Sequence, residues 1–217
     1  MKRKVEQQTA LFILITLTFS FCLLGEPDYL EPVTPSGVGI VEDYMKSVNS
    51  LLSNGFNKKP LARYIVHPAF APEYAFSVEQ DKRGGYKIIV NVLSNNYWYA
   101  ENKRTMVFVK TTEKVIDKEF AVKISVLFKT AIIDSLLPES DSGGLDGIQY
   151  YFSTTGKDGD VVTGTKWSPK EPSLIYKLMK VSEDLISFAC GEKNGKTEDV
   201  LIKDIDSLFL ALSKRSL

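Results

Sequence analysis

The sequence has one histidine and two cysteines in 217 residues, and its 27 Lys+Arg are cancelled by 27 Asp+Glu. Each shortage excludes a class. A single His with so few Cys leaves no conventional zinc ligand set. Two Cys cannot make the disulfide framework of a small secreted scaffold. Without a basic excess there is no electrostatic footprint for nucleic acid. No G-x-x-x-x-G-K-[ST] loop occurs, and Gly143, Gly144 and Gly147 precede a strand pattern rather than a helix, so no phosphate cradle is expected. Glu139, Asp141 and Asp146 share one loop, but their spacing departs from that of a calcium loop, and they read as a solvated acidic turn. No cofactor, metal site or complete catalytic motif is expected. The apolar share of 44% is still ordinary for a globular protein, which excludes bulk disorder.

What is present begins with an address. Lys2, Arg3 and Lys4 precede a 15-residue uncharged run, Ala10 to Leu24, closed by Gly25, Glu26 and Pro27. A positive start followed by a short apolar run reads as a signal peptide over residues 1–25. The run is short for a spanning helix, which needs roughly 20 apolar residues. Retention as an anchor, or lipidation at Cys22, are the two alternatives to cleavage. Removal of residues 1–25 leaves 24 positive against 26 negative residues and Cys190 as the sole thiol, read as a small buried hydrophobe. The expected location is periplasmic or extracellular, with membrane attachment only through an uncleaved or Cys22-lipidated N-terminus.

Residues 26–37, with Pro27, Pro32 and Pro35, read as an extended tether. Residues 38–217 read as a single domain. Helical spacing predicts a helix over Gly39 to Leu52, and Asn57 to Ala71 reads as irregular between its prolines. Tyr74 to Glu79 and Tyr86 to Leu93 form a hairpin through Gly84-Gly85. Thr105 to Thr112, apolar on both faces, reads as a central strand. A helix runs from Lys118 to Leu136 behind an Asp117 cap. A second hairpin joins Ile148–Thr154 to Asp160–Trp167. Two helices follow, one opening near Glu171-Pro172 and one from Glu198 to Leu212. Hairpins demand antiparallel pairing, so the fold class is α+β: an antiparallel sheet of about five strands with three to four helices mainly on one face.

Aromatic residues are the candidate binding groups. Tyr97, Trp98 and Tyr99 sit beside Asn95 and Asn96 at a strand edge or loop. Alternation sends Tyr150 and Phe152 to one face and Tyr151 to the other, so Tyr151 and Trp167 are expected on the sheet face that the helices leave bare. Exposed Tyr and Trp make rigid contact area for a protein or a sugar, although strands and cores favour the same residues. His67 lies in an apolar, proline-rich segment and reads as structural.

The segment Gly144-Leu145-Asp146-Gly147-Ile148-Gln149-Tyr150-Tyr151-Phe152-Ser153, with Thr163-Gly164-Thr165-Lys166-Trp167-Ser168-Pro169 after it, resembles a pattern in a family of small, uncharacterised exported bacterial proteins. The helix opening Ile116-Asp117-Lys118-Glu119 resembles theirs too, and the likeness spans about Lys114 to Ser187. It implies export and a shared fold, and no activity. From the residues alone, Leu145-Asp146-Gly147 reads as a tight turn with positive φ at Gly147.

The expected function is therefore an exported binding or accessory module of the cell envelope or extracellular space. Its partner is a protein there, or a glycan, met through Tyr97, Trp98, Tyr99, Tyr151 and Trp167. The alternatives are a secreted hydrolase using carboxylates or His67, or an inhibitor of a secreted enzyme presenting Asn95 to Asn102 as a rigid loop.

Overall fold

The computed structural model describes residues 28–33, 40–102, 106–133 and 146–215. Residues 1–27, with Cys22, and the loop acids Glu139 and Asp141 lie outside the described residues, as do Ser135 and Leu136 of the helix expected to reach Leu136.

The fold is α+β, built on one antiparallel sheet. Its strands are β1 (Glu31–Pro32), β2 (Ala62–Pro68), β3 (Tyr74–Gln80), β4 (Tyr86–Leu93), β5 (Val109–Ile116), β6 (Ile148–Thr155) and β7 (Val161–Trp167). Their spatial order is β1-β7-β6-β2-β3-β4-β5. The described helices are α1 (Ile40–Leu52), α2 (Tyr97–Asn102), α3 (Lys118–Ile133), α4 (Leu174–Cys190) and α5 (Glu198–Ser213). The described residues hold seven strands and five helices, close to the expected five or so and three to four. Neighbouring strands alternate in direction, so one end of the sheet, here called the upper end, is where β2, β4 and β7 finish and β3, β5 and β6 begin.

Period-two alternation divides the sheet into two faces. Tyr64, Val66, Phe76, Val78, Ile88, Val90, Tyr150 and Phe152 point to the face covered by α3, α4 and α5 and form the main core. Phe120, Ile124, Leu127, Phe128 and Ala131 of α3, one stripe at helical spacing, are buried there. Asp117 Oδ1 accepts from Phe120 N at 2.7 Å and caps α3 as expected. On the opposite face α1 lays Val48 and Leu52 against Ala75 and Leu93 in a second, smaller core. The helices therefore flank both faces, three on one and α1 with α2 on the other.

Five expectations are corrected. Asn57 to Ala71 contains the central strand β2: Ala62, Tyr64 and Val66 alternate into the core, and Pro60 and Pro68 bracket the strand rather than abolish it. Residues 28–33, expected within a tether, are part of the fold. Leu30 is fully buried, Glu31 and Pro32 pair with Thr165 and Gly164, and Asp28 Oδ1 accepts from Ile175 N at the start of α4. The strand expected over Thr105 to Thr112 is β5, displaced to Val109–Ile116, and it is an edge strand; Met106 and Phe108 precede it and are exposed. Helix α4 opens at Leu174 behind a Ser173 cap whose side chain accepts from Tyr176 N, so Pro172 lies outside the helix. Its last residue, Cys190, falls off the stripe that ends with Ala189 and is exposed rather than buried.

Candidate functional site

The residues that sequence singled out converge on the upper end of the sheet. The α1–α2 face is organised in cross-strand rows. Trp167, Gln149 and His67 are directly opposite one another, and the next row is Thr165, Tyr151 and Ile65. Tyr151 and Trp167 therefore stand on the face opposite the three-helix layer, as alternation required, but that face is not bare: it carries α1 and α2, and both rings are half-buried.

A buried acid sets the geometry above His67. Glu73 is fully buried at the start of β3. Its Oε1 accepts from the Tyr44 hydroxyl at 2.6 Å, and its carboxylate accepts from Tyr97 N at 2.9 and 3.2 Å. Glu73 thus links α1 to the first turn of α2. Its backbone carbonyl also accepts from Leu93 N at 2.9 Å, fixing it to β4. Burial, reinforced by the adjacent Glu73 carboxylate, pushes the Tyr44 hydroxyl well above the ordinary tyrosine pKa and keeps it a donor.

Asn96 is the second organiser. Its amide donates to Ala71 O at 2.9 Å and to Pro68 O at 3.3 Å, while its Oδ1 accepts from Tyr99 N. One side chain thereby caps α2 and closes the β2–β3 loop onto it. The consequence is a surface stack: the Phe70 and Tyr99 rings lie 6.4 Å apart at 18°. Phe70 is 69%, Tyr99 42% and Trp98 38% exposed.

Tyr97-Trp98-Tyr99, expected at a strand edge or in a loop, is helical. The same correction applies to the rigid loop expected over Asn95 to Asn102, because α2 occupies most of it. The helix orients the three rings differently. Tyr97 and Trp98 pack on Tyr44, at 6.0 and 5.6 Å, and Tyr99 turns to Phe70. Tyr44 in turn meets His67 at 6.0 Å, and His67 meets Tyr151 at 5.3 Å. Tyr97, Trp98 and Tyr151 are therefore joined in one aromatic chain through two residues.

Trp167 packs over Gly147. A Cβ on Gly147 would lie 2.4 Å from the indole ring, so only glycine fits beneath it. Gly147 serves close approach; its φ is not positive, contrary to the turn expected from sequence. Ser168, with φ of 35°, turns the chain after Trp167, and its Oγ accepts from Ile148 N at 3.0 Å.

His67 is buried, and burial lowers its pKa to about 4, so the ring is neutral at pH 7. Among the described residues its Nδ1 meets Met45 Sδ at 3.1 Å, its Nε2 has no hydrogen-bond partner, and neither nitrogen meets a carboxylate, so no nucleophile–base–acid arrangement forms around it there. Glu183 on α4 is a half-buried acid on the other face of the sheet. One of its oxygens accepts from both the Tyr64 and Tyr74 hydroxyls at 2.7 Å, which ties α4 to β2 and β3, and burial raises its pKa. The Cys190 thiol, although exposed, is pushed up by partial burial and by Glu192, which disfavours the reactive thiolate. No helix among the described residues is long and apolar enough to cross a membrane.

Sequence does not single out Tyr44, Glu73 or Phe70 as site residues, and it gives Asn96 only as a neighbour of the aromatic cluster. Only Phe70 carried a usable signal, an aromatic between Pro68 and Pro72. No protein family matches the chain, and no curated protein or solved structure matches it.

Proposed function

We propose that this chain is an exported binding or accessory module of the cell envelope or extracellular space, and that it meets its partner through the Phe70, Trp98 and Tyr99 surface. The observation that carries the reading is this trio, exposed at the side chain and fixed at the base by Asn96 and Glu73. Aromatic rings on a rigid base lose little conformational freedom on binding and contribute large contact area. Their amphipathic edges suit a protein groove or a sugar ring. The apolar run Ala10 to Leu24 and the likeness of the Gly144–Ser153 segment to exported bacterial proteins support the compartment.

The test is an affinity capture with the tagged full chain over envelope and culture-fluid extracts, bound proteins and glycans being identified by mass spectrometry. One saturable partner, lost on Phe70→Ala or Tyr99→Ala and kept on Val115→Ala, supports the reading. Absence of any saturable partner at micromolar protein contradicts it.

A further inference from the structure

The upper end of the sheet gathers features that no single element explains. Phe70, Trp98 and Tyr99 are exposed there, and so are Met106 at 73% and Phe108 at 61%. Phe108 belongs to this end because its carbonyl accepts from Ser94 N just beyond the last β4–β5 pair, Leu93 and Val109. Monomeric soluble proteins rarely leave such a group of large apolar side chains uncovered without use.

The same end receives the N-terminal segment. Asp28 is bonded to Ile175 N, and Arg215 donates to the Asp28 carbonyl, so the chain is fixed where α4 begins and α5 ends. The Tyr29 ring lies 5.7 Å from Lys166 Nζ near the top of β7. The uncharged run stops at Leu24, leaving only Gly25, Glu26 and Pro27 before Asp28. Fully extended, Leu24 to Asp28 spans about 14 Å at most. A membrane-embedded Ala10–Leu24 segment therefore has no slack to hold the domain away from the bilayer. Lys170, Lys177 and Lys214, close in sequence to the Ile175 and Arg215 that hold Asp28, are exposed, as is Glu171. This combination of aromatic rings and lysines is the chemistry that settles at a lipid headgroup boundary.

We propose that the upper end is a bilayer-docking face: while the N-terminal segment is held in the membrane, Phe70, Trp98, Tyr99, Met106 and Phe108 rest in the headgroup region of a phospholipid surface. This rests on reading Ala10 to Leu24 as a membrane-directed segment and on the binding-surface assignment above. Within that assignment it names the bilayer as what this surface meets.

The sequence contains two tryptophans, so Trp167→Phe leaves Trp98 as the sole reporter. The full-length variant is mixed with phosphatidylcholine vesicles, with and without phosphatidylglycerol, carrying brominated acyl chains. The expected result is a blue shift and quenching of Trp98 emission, reduced by Phe70→Ser. A reporter at the lower end, Asp158→Trp with Trp98 and Trp167 both changed to Phe, stays unquenched. Bound chain with unquenched Trp98, absence of vesicle binding, or equal quenching at both ends overturns the proposal. If Trp98 is unquenched but a saturable partner is lost on Phe70→Ala, the bilayer is excluded and the binding module stands; with neither, both fall.

Discussion

The Tyr44 hydroxyl donates to Glu73 Oε1 at 2.6 Å and joins two elements 29 residues apart in sequence. Glu73 is fully buried, so every bond it accepts offsets the desolvation of a carboxylate. Tyr44→Phe removes one of those bonds and is expected to cost about 1–3 kcal/mol, the range for leaving a buried acceptor short. Glu73→Ala also uncaps α2 and costs more. Urea unfolding of the two variants checks the order. A near-neutral Tyr44→Phe would show that the hydroxyl bond does not hold α1 in place.

Gly147 and Trp167 act as one unit. The Gly147→Ala methyl, 2.4 Å from the indole, forces the ring or the strand to move. The expected loss is about 1–3 kcal/mol, as for other overpacked sites, with a change in Trp167 emission. In the Trp167→Leu background the same substitution is milder. A double-mutant cycle reads this as a favourable coupling, and strict additivity would contradict the contact.

The first strand is held by a shielded ion pair. Lys166 Nζ lies 3.0 Å from Glu31 Oε1, and the two side chains are 6% and 16% exposed. Removing one partner takes a charge-assisted bond from a shielded ammonium, so Glu31→Ala is expected to cost about 1–3 kcal/mol. Replacing both partners, Glu31→Leu with Lys166→Met, recovers most of that loss. Leu30→Ala on the same segment costs about 2–5 kcal/mol through the cavity it leaves. Thermal unfolding of the single and double variants distinguishes an integral β1 from a dispensable tether, for which all of these changes are silent.

His67 gives the fold an acid-sensitive component. Its pKa is lowered to about 4 from an ordinary 6.5, because burial disfavours the charged ring. Above pH 6.5 neither state carries the proton and His67 contributes nothing to pH dependence. Between pH 6.5 and 4 the unfolded chain takes up a proton that the folded chain refuses, so stability falls with pH, by an amount on the order of 3 kcal/mol when complete. His67→Leu removes this component. The difference in unfolding free energy between wild type and variant, measured at about pH 7.5 and about pH 4, is expected to change by that amount. A constant difference would show that His67 titrates normally in the fold.

Sequence made much of this architecture legible where periodicity was strong. The β3–β4 and β6–β7 hairpins, α3 and α5 follow from alternation, glycine turns and a five-residue apolar stripe. The elements that were missed depend on partners distant in sequence. Strand β1 is only two residues long and exists because β7 pairs with it. In β2 the core positions Ala62, Tyr64 and Val66 alternate correctly, but Arg63 and His67 between flanking prolines obscured the pattern. Aromatic Tyr97-Trp98-Tyr99 favours a strand by local preference, and Glu73 and Asn96 override it by bonding the α2 N-terminus. The apolar residues before β5 suggested a central strand, yet two of them, Met106 and Phe108, are exposed at the upper end. The site was half legible for the same reason: its rings were visible in the sequence, and the buried acid and amide that aim them were not.

The central claim is that the upper end is where this protein meets its partner. Hydrogen–deuterium exchange of the full chain, with and without a cell-envelope fraction, tests it most directly. The account predicts slowed exchange in residues 69–71 and 97–102, with the β3–β4 hairpin at 81–85 and the α4–α5 connection at 191–196 unchanged. Protection confined to those lower segments, or no protection anywhere, would contradict it.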